Sequence, residues 1–329
     1  MKHIPKSMIA GTGSATPEKV LTNFDLEKMV DTSDQWIRER TGIERRHILE
    51  DGKANSDLAL IAAKRALKNA GLSPDSVECI IFATLSPDMA FPSTATALQA
   101  KLKAFNASAF DISAACSGFL YAMTLADSLI GNGLYKNVLI IGSEILSRYT
   151  DWEDRSTCVL FGDASGAAVL VPSDGKRGVI STYMKSDGRL SYLLNSPGGG
   201  VLHPASHESV DQRLHYIKME GNKVFKHAVR TMVDAAFHCL DLAEASSEDI
   251  DLLVPHQANK RIIDAVTERL NLPQEKVFIN LHEYGNTSAA TIPLALDEAI
   301  QQGKLSTGQL CLMVAFGGGF TWASSLVRI

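Results

Sequence analysis

The sequence predicts an α/β fold built from two copies of one unit. Short β-rich apolar runs alternate with longer amphipathic stretches. The same order of elements occurs twice, with connections of similar length. At 329 residues, the chain has room for two domains or one large duplicated one.

In the first copy, residues 55–71 carry helical spacing, with Asn55 or Ser56 placed to cap the start and Gly71 to end it. ECIIFAT (78–84) reads as a buried strand, and Ser108 to Ser113 as another. A helix of small residues follows from Ser117 to Ile130, stopped by Gly131 and Gly133. Strands over 137–144 and 166–171 complete the copy, with Cys158 read as a core residue of a strand in DRSTCVLFGD. The second copy predicts a helix over 222–243, a strand over 250–255 and a helix from Asn259 to Leu270. A strand over 277–280, a helix from Ser288 to Gln302 and strands over 310–316 and 320–327 close it. The expected division is residues 1–173 and 174–329.

Two segments stand outside the pattern. GTGSAT (11–16) lacks the final glycine of a dinucleotide fingerprint and reads as a turn. Segment 187–220 is Gly/Pro/Ser-rich and fits neither copy, so an irregular excursion is expected, placed to rim a pocket.

Overlaying the copies aligns Thr84 with His256, and Cys116 with Asn286. Cys116 stands 22 residues before Val138, and Asn286 stands 24 before Leu310. Cys116, His256 and Asn286 therefore all occupy strand-to-helix loops, at the carboxyl ends of strands where open α/β sheets hold ligands.

The composition is that of an ordinary globular protein, 45% hydrophobic and 21% charged. A net charge of −5 argues against a nucleic-acid partner bound over the whole surface but leaves room for a local basic patch. Five scattered cysteines without a CxxC speak against a disulfide framework or zinc knuckle and suit a reducing compartment. His203, His207 and His215 lack companions at metal-ligand spacing, so no metal is expected. No apolar run approaches the roughly 20 residues of a membrane span, and the N-terminus lacks a signal-peptide pattern. A cytoplasmic protein without membrane insertion is expected.

The three loops carry the chemistry. In DISAACSGF (111–119), Cys116 opens a helix whose positive end is expected to lower the thiol pKa. His256 in VPHQANKRI (254–262) suits a general base or a hydrogen-bond donor. Asn286 in HEYGNTSAATIP (282–293) donates through an amide that never takes a proton. Singly, each has a plain structural alternative: a core cysteine, a capping histidine, a turn asparagine. Together, in matching loops, they form a nucleophile with two polar assistants. FGGGF (316–320) adds backbone N–H groups for an oxyanion.

DISAACSGF, VPHQANKRI, HEYGNTSAA and AFGGGFTWAS resemble the signatures of the β-ketoacyl-acyl-carrier-protein synthase III family, and so do TSDQWIRERTGIERRHI (32–48) and DRSTCVLFGDASGAAVL (154–170). The resemblance runs from Ile9 to Arg328. It implies a thiolase-like fold, with duplicated halves forming a layered α-β-α-β-α core. It also implies a decarboxylative condensation of acyl-CoA, acetyl-CoA first, with malonyl-acyl-carrier protein. Cys116 would take the acyl group, and His256 and Asn286 would bind the malonyl thioester carbonyl as an enolate develops. Backbone N–H groups of Cys116 and Gly318 would form the oxyanion hole. Trp36, Arg40 and Arg155 would meet the CoA nucleotide, Asn222 the pantetheine, and Phe225 the reacting centre. Phe91 would reach across a homodimer interface to floor the acyl pocket. Gln257, Lys260 and Arg261 would receive the acidic carrier protein. No cofactor is implied, acyl-CoA being a substrate. Two alternatives stay open within the superfamily: longer or branched acyl groups for secondary metabolism, and acyl transfer to an oxygen or nitrogen acceptor. A carrier-binding scaffold without activity is disfavoured by the complete Cys/His/Asn set.

Overall fold

A computed structural model describes residues 5–329. The elements that position the loops are, in chain order, β1 (Ser7–Ala15), α1 (Asp34–Thr41), α2 (Asn55–Ala70), β2 (Cys79–Ala83), α3 (Thr94–Leu102), β3 (Ser108–Ile112), α4 (Gly118–Gly131), β4 (Val138–Ile145), β5 (Asp163–Pro172), β6 (Gly178–Ser186), α5 (Gly221–Leu242), β7 (Leu252–Pro255), α6 (Lys260–Arg269), α7 (Thr291–Gln301), β8 (Leu310–Gly317) and β9 (Thr321–Arg328).

They form two sheets of the same design. The first has the order β1-β5-β4-β2-β3, and the second β6-β9-β8-β7. In the first, β1/β5 and β5/β4 are antiparallel, while β4/β2 and β2/β3 are parallel. The second repeats this: β6/β9 and β9/β8 antiparallel, β8/β7 parallel. The fifth place is taken by one parallel bridge, Leu253 to Val277. The strand expected over 277–280 is therefore absent. Phe278 N–H reaches Leu253 O (2.9 Å), and the chain then turns into a short helix, Leu281–Tyr284.

The sheets stack with helices between and outside them. α4 and α7 lie in the middle and touch both sheets. α2 and α3 cover the outer face of the first sheet, and α5 with α6 that of the second. The result is the five-layer α-β-α-β-α core. α4 is flanked by apolar sheets on both sides, so its inward residues Phe119, Leu120, Ala122, Met123 and Ala126 are buried. That explains its small, apolar sequence.

Some local expectations change. GTGSAT is not a turn. It lies largely within β1, paired with β5. A Cβ on Gly13 would sit 2.4 Å from Ala66 N, and one on Gly11 2.4 Å from Ala70 N. The alternating glycines thus let the α2 backbone press onto the strand. The N-cap of α2 is Ala54, one residue before the proposed caps, and its N–H bonds the Asp57 carboxylate (2.9 Å). Asn55 points inward instead and donates to Thr84 Oγ1 (3.1 Å) and Ser143 O (3.0 Å). Cys158 is core, but in a short helix, Arg155–Cys158, rather than a strand. Segment 187–220 is largely irregular, held by a two-residue pairing of Leu194–Asn195 with Lys218–Met219.

Candidate active site

The site forms where the inner helices begin. Each is preceded by a 3₁₀ turn: Ala115–Ser117 before α4 and Ser288–Ala290 before α7. The first residue of each turn is left-handed, Ala115 at φ 46° and Ser288 at φ 49°. The first turn packs on β8 and the second on β4, so each copy's turn rests on the other copy's sheet. This equivalence corrects the sequence overlay. The counterpart of Cys116 is Ala289, and Asn286 lies three residues upstream of it. Thr84 and His256 do match, each following the strand parallel to its sheet's central one.

Gly317, ending β8, sits under Cys116; a Cβ there would stand 2.6 Å from Cys116 N. His256 continues β7, its N–H bonded to Val314 O (2.8 Å). Its Nδ1 lies 2.7 Å from Thr291 Oγ1, which also donates to Ser288 O (2.9 Å). Asn286 is fixed by a bridge to Phe161, with its N–H on Leu160 O (2.8 Å). Its Oδ1 accepts from Ser288 N–H (2.9 Å). That assigns the amide: the oxygen is used locally, and Nδ2 is left to donate.

Cys116, His256 and Asn286 all line one cavity of about 600 Å³. Trp36, Arg40, Asn222, Phe225 and Arg261 line it too. α1 and α6 are joined beside it by Asn259 Nδ2 donating to Arg40 O (3.0 Å). Arg261 lies 5.5 Å over the Phe225 ring. Arg155 is not a lining residue; it stacks 4.4 Å over Trp36 and backs it. Gly318 lies against Leu194, while its neighbour Gly317 faces the cavity. Lys260 is outside the cavity and paired with Asp264 (2.8 Å). Leu194 and Met219 bring the irregular segment to the wall, as a rim.

One residue stands apart from its expected place. Gln257 is 1% exposed, its amide spent on Pro255 O (2.8 Å), Phe278 O (3.1 Å) and Asn280 N–H (3.2 Å). It braces the loop beneath His256 and cannot present its side chain to a carrier protein. Phe91 is 85% exposed on the loop between β2 and α3, away from this chain's cavity.

Electrostatics reverses one expectation. Burial pushes the Cys116 thiol up to about 12, with a Ser288 hydrogen bond acting the other way. Enclosure thus outweighs the helix end that was expected to lower it. Burial also holds the His256 imidazole down to about 3, so it is neutral at physiological pH. Glu144, on β4, is pushed up to about 7 by burial, against hydrogen bonds that favour its charge.

Thr291, Ser288 and Glu144 were not singled out from the sequence. The first two lie in the same GNTSAAT run as Asn286, where any hydroxyl also reads as a helix cap. Glu144 carried a clearer signal, as a lone carboxylate in the apolar run VLIIGSEI.

Residues 110–188 match the family model for 3-oxoacyl-[acyl-carrier-protein (ACP)] synthase III, and residues 240–329 match that for its C-terminal part. A β-ketoacyl-[acyl-carrier-protein] synthase III of Caldanaerobacter subterraneus is 53% identical over 97% of this chain and 97% of its own. One of Desulfitobacterium hafniense is 51% identical over the same shares. The crystal structure of 3-oxoacyl-[acyl-carrier-protein] synthase III from Aquifex aeolicus superimposes with a TM-score of 0.92 at 51% identity, covering 98% of this chain and 100% of that one. The chain belongs to the 3-oxoacyl-[acyl-carrier-protein] synthase III family.

Proposed function

We propose that the protein moves an acyl group from acyl-CoA to Cys116 and condenses it with malonyl-acyl-carrier protein. The products are 3-oxoacyl-carrier protein, CO2 and CoA, and the reaction opens fatty-acid synthesis. The observation that carries this reading is the meeting of Cys116, His256 and Asn286 on one cavity with cationic side chains in its wall.

Arg40 and Arg261 suit the phosphates of CoA, and Trp36 its adenine, steadied from behind by Arg155. Asn222 and Phe225 line the way inward for the pantetheine and acyl groups. Cys116 attacks the thioester, and backbone N–H groups of Cys116 and Gly318 receive the oxyanion. The malonyl thioester oxygen then takes hydrogen bonds from Asn286 Nδ2 and, with Thr291 turned to donate to Nδ1, from His256 Nε2. Both donors are neutral, so the charge that develops as CO2 leaves is met without proton transfer. The enolate carbon attacks the acyl-Cys116.

The working unit is a homodimer in the cytoplasm. Exposed Phe91, with Met89 beside it, supports a partner contact, as does the edge position of β3. No resident cofactor takes part, and no helix among the described residues is long and apolar enough to cross a membrane.

Intact-protein mass spectrometry after brief exposure to straight and branched acyl-CoAs tests the reading. A dominant acetyl adduct, absent in Cys116→Ala, is expected. A preference for longer or branched chains would move the enzyme to another pathway. Acylation persisting in Cys116→Ala would remove the nucleophile.

A further inference from the structure

Both donors of the condensation are reached from one residue, Ser288, at the start of the turn before α7. Its N–H holds Asn286 Oδ1 (2.9 Å). Its C=O lies 2.9 Å from the Thr291 hydroxyl, which itself stands 2.7 Å from His256 Nδ1. A small rotation of the Ser288 backbone would therefore turn the Asn286 amide and shift the Thr291 hydroxyl together.

The Ser288 side chain is tethered. Its hydroxyl donates to Glu144 Oε1 (3.1 Å), and both residues are buried. Glu144 is fixed in turn by the residues that follow β2. Its Oε2 accepts from Ser86 Oγ (2.5 Å), Thr84 Oγ1 (3.0 Å) and Ser86 N–H (3.2 Å), and both oxygens accept from Leu85 N–H. Only the ionised carboxylate accepts at every one of these places. The other copy shows what the tether is not for. Ala115, the counterpart of Ser288, takes the same left-handed backbone with no hydroxyl at all. The turn thus forms without the hydroxyl, and the one on Ser288 fixes where its turn stands.

We infer that Glu144 is a positioning residue for the condensation, acting through the Ser288 hydroxyl on Asn286 and, by way of Thr291, on His256. This rests on Asn286 and His256 being the donors to the malonyl thioester oxygen. Neither Glu144 nor Ser288 lines the cavity, so their influence passes through the residues that do. Donors stabilise a developing oxyanion when they are aimed before the charge appears, and a misdirected amide forfeits that gain. Glu144 stands on β4 of the first copy and both donors belong to the second. One half of the molecule thereby aims the reacting groups of the other.

The test separates the half-reactions in wild type, Ser288→Ala, Glu144→Gln, the double variant, Asn286→Ala, and Ser288→Ala combined with Asn286→Ala. Enzyme already acetylated on Cys116 is mixed with malonyl-carrier protein and quenched for product. Acylation by acetyl-CoA is followed separately by intact-protein mass spectrometry. Ser288→Ala should lower the maximal rate of condensation about tenfold, the worth of one well-aimed hydrogen bond. The half-saturating concentration of malonyl-carrier protein should stay within about twofold, since the bond matters in the transition state, and acylation should continue. Glu144→Gln should do the same, and the double variant should be no slower than the slower single one. With Asn286 already alanine, Ser288→Ala should cost at most about threefold, the share that passes through Thr291.

An unchanged condensation rate in Ser288→Ala would overturn the inference. So would a raised half-saturating concentration with the maximal rate kept, acylation lost in equal proportion, or a full tenfold loss on the Asn286→Ala background. If Glu144→Gln fails to fold, Ser288→Ala and its combination with Asn286→Ala carry the test. Condensation at the wild-type rate in Asn286→Ala would instead strike the reading of Asn286 as a donor.

Discussion

Thr291 Oγ1 has one proton and two acceptors, Ser288 O and His256 Nδ1. The imidazole is neutral and carries one N–H, so the choice made by Thr291 sets the other ring nitrogen. If Thr291 bonds Ser288 O, Nδ1 keeps the proton and Nε2 accepts. If Thr291 turns to Nδ1, Nε2 becomes the donor that an enolate needs. Thr291→Val removes this control at nearly constant shape. Condensation by pre-acylated enzyme should fall about tenfold, the worth of one hydrogen bond, while acylation of Cys116 continues. Rapid-quench product analysis of the two half-reactions separates these effects, and equal losses in both would show general damage instead. That Cys116 and His256 would meet in one cavity was legible in sequence because each follows a strand, whereas Asn286, which lines the same cavity, follows the short helix Leu281–Tyr284 instead. The hydroxyls that orient them were not, since serine and threonine occur at helix starts for capping alone. The thiol's raised pKa was also out of reach, because enclosure is a property of all five layers.

Among the elements, most buried strands and the long amphipathic helices were read to within a few residues, since period and glycine stops mark them directly, but α3 and β6 were not read at all. What failed was local. β1 looked like a turn because its glycines suggest flexibility, whereas here they give clearance to α2. The segment at 277 has strand composition but gains only one bridge before the chain bends away. The reading of β1 has a direct test. Gly13→Ala would drive a methyl to within 2.5 Å of Ala62 O as well as against Ala66 N. It should cost about 1–3 kcal/mol in denaturant unfolding, as overpacked cores do. Gly200→Ala, with nothing within 4 Å of its new methyl, should stay within about 0.5 kcal/mol. Equal effects would mean that β1 and α2 are less closely set than described.

Over the whole molecule, the net charge of −5 contrasts with the exposed arginines around the cavity. A partner of net negative charge would be steered to such a patch although the rest of the surface repels it. The two basic residues after His256 should not count equally, because Lys260 is neutralised by Asp264 and Arg261 borders the cavity. Arg261→Glu should raise the KM for malonyl-carrier protein by roughly tenfold and weaken its salt dependence, and Lys260→Glu should do less. Steady-state kinetics at two ionic strengths compares them; a larger effect from Lys260→Glu would move the docking surface outward.

The two turns that cross between the sheets have a genetic consequence. Identical loops meeting at an axis can offer each other only identical chemistry, and in a symmetric pair of separate chains every substitution appears in both. A condensation needs unlike neighbours: a sulfur that is acylated, and donors that are not. With both copies on one polypeptide, the position of the sulfur could become Cys116 in one and Ala289 in the other, and the post-strand position Thr84 in one and His256 in the other. With both copies on one chain the halves are free to differ, and the cavity draws Cys116 from one half and His256 and Asn286 from the other.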